Sequence, residues 1–490
     1  MLNPREAQAR QRAASMIDTT EASPSTRRAT LVALLVAGAF FMENLDGTVI
    51  ATALPQMGIS FGANPVDLNM GITAYLLTLA VFIPVSGWIA DRLGARTVFA
   101  FAIALFTFSS ILCGISNGLF EFTAARILQG VGGAMMVPVG RLVVLRVTEK
   151  KDLIRSIAYI TWPGLAAPVI GPPTGGFITT YLSWRWIFFL NVPLGIVGIV
   201  LAMLWIKNQR EGTGGFDWFG FAMAGSACIS FMYSLELFGR QNVRWLAASV
   251  FLGYGLLAGY IAVRHMRRAP HPLIDLKCLK AQTFAIVIFG GSLFRIAISS
   301  TPFLLPLMFQ LAFGLNAFQS GLLVLAMFAG NLLMKSVTTP VLRRFGFRTS
   351  LIVNGLITAV LIFSFSFVLP DTPRILMIPL LFAHGLSRSM QFTSINTIAF
   401  VDIPKSVLSS ASSFYAVAQQ LSMGMGAAIG AMALRIAAWV HGTPSSMPVT
   451  SDFHFAFALV SLIALLGVAD SLTLDKTAGA EVSGHKAVAR

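Results

Sequence analysis

The sequence predicts an all-α polytopic membrane protein of fourteen spans, arranged as two six-helix halves with a two-helix hairpin inserted between them. Three observations carry this expectation. Hydrophobic residues make up 56% of the 490 residues and charged residues only 11%, against roughly 25% charged in soluble domains. The apolar residues fall into fourteen runs, each near the ~20 residues that a helix needs to cross a bilayer. The short loops between the runs alternate in their content of Lys and Arg.

In chain order the runs lie near 30–55, 69–90, 97–116, 118–144, 154–180, 185–206, 216–237, 245–264, 282–309, 317–339, 349–369, 373–400, 409–435 and 453–473. One set of alternate loops holds Arg92 and Arg96, then Arg146, Lys150, Lys151 and Arg155, then Lys207 and Arg210. It continues with Arg264, Arg267, Arg268, Lys277 and Lys280, then Arg343, Arg344 and Arg348, then Lys405. The other set holds only Arg185, Arg240, Arg244 and Arg374. Basic loops face the cytoplasm. With an even number of spans, both termini are then expected there. Residues 1–27 form a polar tail without the apolar stretch and cleavage site of a signal peptide. The expected organisation is that tail, a half over 28–207, the hairpin over 208–265, a second half over 266–475 and a tail over 476–490. Gly87–Phe99 and Thr338–Ile352 repeat one pattern, a helix end, a basic turn around a glycine and a new helix. Such internal repeats mark carriers built from two related halves with a site between them.

The net charge of +15 does not point to nucleic acid, because the basic residues are short clusters between spans. Cys113, Cys228 and Cys278 are scattered and odd in number, with neither a disulfide framework nor metal-ligand spacing. No nucleophile–base pairing, metal cluster or phosphate loop is legible. The expectation is therefore a protein that is not an enzyme, is not driven by ATP, and needs neither cofactor nor metal.

The first run carries Glu43 and Asp46, three residues apart and so on one helix face. Counted from Thr30, Asp46 lies about 24 Å along the helix, so solvation at the outer headgroups stays open for it, less so for Glu43. A carboxylate at membrane depth otherwise marks a functional site. Arg126, in Arg126-x-x-Gln129-Gly130-x-Gly132-Gly133 of the fourth run, lies at similar depth and demands a carboxylate or carbonyls. A structural ion pair and a proton-coupling unit of Asp46, Glu43 and Arg126 are both open readings. The first basic turn, Gly87-x-x-x-Asp91-Arg92-x-Gly94-x-Arg96, reads as a gate latch. There Gly87 permits close helix approach, Asp91 caps a helix or pairs with Arg, and Gly94 allows a tight reversal. In the fifth run Gly171, Pro172, Gly175 and Gly176 give a smooth, kinked face. Ser183 to Pro193 supplies aromatics suited to a membrane interface. The second half carries bases at depth: Arg295 in the ninth run, and His384, Arg388 and Gln391 along one face of the twelfth. They read either as the wall of a substrate cavity that receives an anion or as donors to carbonyls of broken helices. Lys335 and Arg435 lie at span ends.

With these motifs assembled, the chain resembles the major facilitator superfamily. Within it, the chain is most similar to the fourteen-span drug:proton antiporter family of the EmrB/QacA type. LDGTVIATALP resembles that family's first-helix motif, with Asp46 on its acidic position. GWIADRLGARTVF matches the loop 2–3 motif through Gly87, Asp91, Arg92, Gly94 and Arg96. ARILQGVGGAMMVP places Arg126 on the arginine of the fourth-helix motif, and GPPTGGF matches the antiporter motif of helix five. SWRWIFFLNVPLG is close to a hallmark of the fourteen-span family, and GGAMMVPVGRL and SINTIAFVDIP look most like its MdtD-type branch. The resemblance covers about residues 28–475. Ala51 stands where the family has Asn, and Glu43 is not a usual acidic position. No acid in the second half is clearly embedded, and Glu236 lies near the outer end of the hairpin's first span.

The resemblance implies a secondary transporter of the inner membrane that exchanges small molecules, drugs or other amphiphiles, for protons by alternating access. The bases of the second half favour instead a proton-coupled exporter of anionic metabolites or metal chelates. A non-transporting sensor or scaffold is the third reading, against which the intact gate motifs argue. Expected partners are the substrate, protons and the bilayer, not nucleic acid; a periplasmic adaptor stays open.

Overall fold

The structure, a computed structural model, describes residues 24–148, 153–208, 210, 215–238, 244–270, 272–404, 408–444 and 447–483. The expected tail over 1–27 lies almost wholly outside the described residues, as do Lys150, Lys151, Arg240 and Lys405 and the last seven residues of the C-terminal tail. Among the described residues the regular structure is entirely helical. This follows from apolar runs in a medium where backbone groups must be satisfied within the segment.

The N-terminal half begins with α1 (Pro24–Val49), which a 3-10 turn extends to Thr52, and the short α2 (Leu54–Phe61). α3 (Asn69–Leu93), α4 (Ala95–Ile115), α5 (Leu119–Val147) and α6 (Leu153–Tyr181) follow. The one-turn α7 (Trp186–Phe189) leads into α8 (Asn191–Trp205). α9 (Trp218–Phe238) and α10 (Trp245–Met266) form the hairpin. The C-terminal half holds α11 (Gln282–Ile288), α12 (Gly290–Leu307), α13 (Ala317–Ser364), α14 (Arg374–Ile398), α15 (Leu408–His441), α16 (Thr450–Ser471) and the terminal turn α17 (Ala480–Ser483).

Eleven helices among the described residues are long and apolar enough to cross a membrane. The run through α13 holds two of the expected spans, because Gly346 (φ 71°, ψ 170°) interrupts it. α6 and α14, richer in Pro, Gly and polar side chains, complete an arrangement consistent with fourteen spans. Gly94 (φ 96°, ψ 133°) ends α3 at the same point of the repeated pattern as Gly346. Both are backbone conformations that a side chain disfavours, so the turn repeat read from the sequence is also a conformational repeat.

The hairpin lies against α3 and α15. At the basic end of α3, Trp88 meets Phe216 (5.3 Å) and Trp218 (5.6 Å) between ring centroids. Asp217 beside them lies 2.8 Å from His265 Nε2 and accepts from the amides of Gly220 and Leu273. Burial acts to raise the Asp217 pKa, but those hydrogen bonds hold it below the usual carboxylate value.

The halves meet along α6 with α13 and along α3 with α15. Three hydrogen bonds join them among the described residues, all at the end opposite the basic loops. Gln310 Nε2 donates to Thr52 O (3.1 Å), Phe318 N to Thr180 Oγ1 (3.1 Å), and Arg435 pairs with Asp67. That end is therefore closed.

Candidate functional site

α5 is seated by its glycines. A Cβ on Gly130 would stand 2.8 Å from Tyr75 O of α3, and one on Gly132 2.8 Å from Phe106 N of α4. This close packing sends Arg126 and Gln129 inward toward α1. Arg126 Nη1 lies 2.6 Å from Asp46 Oδ2 and 2.6 Å from Gln129 Oε1. Gln129 Nε2 donates to Asp46 Oδ1 (3.0 Å) and to Ser110 Oγ (2.8 Å). Asn191 Nδ2, at the start of α8, donates to the same two oxygens (3.0 and 3.2 Å). All five residues are buried. The guanidinium also lies over the Tyr75 ring, 4.2 Å from its centroid. A buried pair is costly unless its remaining lone pairs and protons find partners; here three donors satisfy the Asp46 carboxylate, while the Tyr75 ring faces the guanidinium.

Glu43 stands apart from this network. It lines a cavity of about 190 Å³ between the halves, and its buried Oε2 has no hydrogen-bond partner. Gly133 makes its room: a Cβ there would lie 3.1 Å from Tyr75 Oη and 3.7 Å from Glu43 Cδ. Arg126 reaches the same cavity and keeps Nε and Nη2 unpaired. From the other half comes Arg388, whose buried Nε and Nη1 have no partner and whose guanidinium lies 5.3 Å from the Phe328 centroid. Asn44, Ser299 and Gln420 add neutral polar groups, while Pro302, Phe303, Pro306, Phe328 and Met423 make much of the wall apolar.

The other residues singled out in the C-terminal half lie elsewhere. Arg295 is buried, donates to Val287 O (3.3 Å) and stacks 4.7 Å from the Tyr415 centroid. His384 is fully buried against Phe365, and neither ring nitrogen has a partner. Gln391 accepts from Asn354 Nδ2 (2.8 Å) and donates to Leu351 O (3.4 Å). None of these three lines the cavity. A shared helix face predicts which side chains neighbour one another, not what that face meets.

The helix-five motif seats two partners. A Cβ on Gly171 would stand 2.2 Å from Thr48 Oγ1 and one on Gly175 2.6 Å from Val49 O, both in α1. A Cβ on Gly176 would stand 2.4 Å from Ala317 O in α13, and one on Gly321 of α13 2.3 Å from Pro172 O. α6 is thus the close-packed strip between the halves at the closed end, and Pro172 lines the cavity. At the basic end Asp91 accepts from Arg146 Nη2 (2.8 Å), while Arg92 lies over Trp88. Gly94 leaves room for Asn208, and Arg96 Nε is buried without a partner. Around Gly87 no neighbouring atom comes within 4 Å of a built Cβ, so the close approach expected of it is not made in this conformation.

The family model of the Major Facilitator Superfamily matches residues 36–427. The chain belongs to the major facilitator superfamily. Among curated relatives, "Putative multidrug resistance protein MdtD" of Serratia proteamaculans is 36% identical over 436 residues, 88% of this chain and 91% of that protein. Its Escherichia coli counterpart is 34% identical over 440 residues, 88% and 92% of the two chains. Among solved structures, an auto-inhibited POT family peptide transporter superposes with TM-score 0.63 at 14% identity, over 92% of this chain and 97% of that one. A bacterial homologue of the human lysosomal transporter Spinster, in an inward-facing and occupied conformation, gives 0.62 at 13%, over 92% and 97%. The solved structures share the fold. The MdtD relatives place this facilitator on the branch its motifs resemble, in a family of transporters rather than enzymes.

Four residues of the site were not among the sequence candidates: Gln129, Asn191 and Ser110 around Asp46, and Arg146 on Asp91. Gln129 was within reach of the reading, three residues after Arg126 on one helix face.

Proposed function

We propose that this facilitator exports small amphiphiles, drugs among them, across the cell membrane in exchange for protons by alternating access. In this reading the basic loops and both termini are cytoplasmic. The observation that carries it is Glu43, a half-buried carboxylate whose buried Oε2 has no partner, in a cavity walled by both halves. The names of the MdtD relatives support drugs as the substrate class.

Asp46 already holds three donors, one of them charged, so a proton added there would displace a hydrogen bond. Glu43 displaces none. A cationic amphiphile and a proton exclude each other at a single carboxylate, and that exclusion is the minimum for antiport. Glu43 is then the exchanging group. Asp46 and Arg126, set by Gln129 and Asn191, hold α1 and α5 in register around it. Asp91, Arg92, Gly94 and Arg96 with Arg146 latch the basic end, and Gly171 to Gly176 form the surface on which the halves rock.

Arg388 favours a second reading. A guanidinium with two unpaired nitrogens in the same cavity suits a carboxylate or a chelate. An anion there would favour a protonated Glu43, so proton and anion would bind together rather than in exchange.

Inside-out vesicles with an acid interior and a pH dye separate the two. The expected result is proton leak evoked by lipophilic cations, lost in Glu43→Gln and in Asp46→Asn. Acidification of vesicles prepared without a pH gradient when anions alone are added outside, lost in Arg388→Met, selects the second reading. Silence to both overturns proton coupling.

A further inference from the structure

A second cavity, of about 260 Å³, opens at the basic end of the N-terminal half, far from Glu43 and Arg388. Three cationic side chains from three separate segments line it: Arg28 of α1, Arg146 of α5, and Lys207 just beyond α8. Among the described residues no acidic side chain lines it. Arg28 and Arg146 are each placed by a specific contact, and Lys207 by the anchoring of its neighbour. Arg28 donates through Nε (3.2 Å) and Nη2 (2.8 Å) to Trp205 O at the end of α8. Asn208 packs where Gly94 has no side chain, its Oδ1 3.5 Å from Thr97 N, and this fixes Lys207 next to it. Arg146 is held by Asp91. Ala95, the first residue of α4, brings a helix N-terminus to the same wall, and Val143, Val147 and Ile206 make the remainder apolar.

Converging like charges repel, and among the described residues Asp91 pairs with Arg146 while Arg28 and Lys207 have no carboxylate. An anion with several acceptor oxygens would balance the set. A guanidinium fork, an ammonium and a helix N-terminus together match a phosphate. The apolar side of the cavity matches the glycerol of a lipid, and basic pockets between helices at a membrane surface take anionic headgroups.

We propose that this cavity binds a phosphate group, of an anionic phospholipid or of a soluble phosphate, and that this anion competes with Asp91 for Arg146. Occupancy then loosens the basic-end latch. The binding site does not rest on the proton-coupling reading, because it involves neither Glu43 nor Asp46; the loosening rests on the latch role proposed for Asp91 and Arg146.

The test is native mass spectrometry of the full chain released from phosphatidylethanolamine nanodiscs with and without phosphatidylglycerol. Arg146 is left intact because it serves the latch. Wild type is expected to retain one phosphatidylglycerol roughly thirtyfold more tightly than the Arg28→Gln/Lys207→Gln variant, the combined effect of two basic residues at a lipid surface. The charge-keeping Arg28→Lys/Lys207→Arg variant is expected to bind as wild type. If millimolar inorganic phosphate displaces the lipid, the site reads phosphate from either source; if it does not, the lipid is the occupant. Equal retention by wild type and the Gln variant overturns the proposal. So does equal loss in the charge-keeping variant, since charge would then not be what holds the ligand.

Discussion

In the N-terminal half, Asp46, Arg126, Gln129, Asn191 and Ser110 close on one another, whereas Arg295, His384 and Arg388 of the C-terminal half have no carboxylate among the described residues. Arg295 leans on Tyr415 and Val287 O, Arg388 on Phe328 and Phe392, and His384 on Phe365. The polar cluster beside them is neutral, with Thr358 Oγ1 2.6 Å from Ser387 Oγ and Asn354 donating to Gln391. The C-terminal carboxylates lie at span ends instead. Asp452 accepts from Thr443 Oγ1 and Val449 N and lies 2.7 Å from His441 Nδ1, and Asp470 accepts from Gly290 N. The halves share a fold but not a charge plan. One holds an ionic network around Asp46, and the other brings Arg388 to the cavity without a carboxylate beside it among the described residues.

The largest effect follows from breaking the N-terminal network. Arg126→Leu leaves Asp46 buried with two neutral donors, and an unpaired buried charge costs about 3–5 kcal/mol. The expected outcome is a sharp loss of thermal stability in detergent, together with loss of transport. Arg295→Leu removes a cation that has no ion-pair partner, so its loss is expected to be much smaller. Comparable melting curves for the two variants would break the contrast between the halves.

The fold was legible because apolar runs and the alternation of basic loops are set by the bilayer itself. Asp46 with Arg126 was legible because two charges at one depth must find each other. Asn191 was not, because a neutral amide at a span end gives no such signal and its motif reads as an aromatic belt. Arg146 was hidden among the basic loop residues, since sequence does not separate a paired arginine from a solvated one. His384 and Gln391 share a face, but that side of α14 meets neighbouring helices, with Gln391 against α13. The placement of Arg388 alone in the cavity depends on helix rotation, which periodicity leaves undetermined.

The next effect tests the surface where the halves meet. Gly176→Val would force a side chain against Ala317 O, and overpacking of this kind costs about 1–3 kcal/mol. The closed end should open more often, seen as faster labelling of a cysteine introduced at Thr48 by an impermeant reagent from that side. Gly87→Ala has open space around it and should leave labelling unchanged. A smaller change is expected at the rim. Asp67 and Arg435 join the halves with side chains 41% and 10% exposed, and exposed pairs contribute about 0.2–1 kcal/mol. Asp67→Asn should raise the labelling rate by about fivefold at most, and high salt should mimic it. The exchange Asp67→Arg/Arg435→Asp should restore the wild-type rate.

The smallest change has the opposite sign. His384 is fully buried with both ring nitrogens unpaired, and an unsatisfied buried polar group costs about 1–3 kcal/mol. Leucine replaces the imidazole with an apolar side chain, so His384→Leu is expected to leave stability unchanged or raise it slightly. Arg388→Met, which changes the cavity wall, should alter transport with little effect on folding. If His384→Leu folds normally but loses transport, the imidazole meets water or substrate in another conformation. His384 would then join Arg388 among the groups that the C-terminal half presents to substrate.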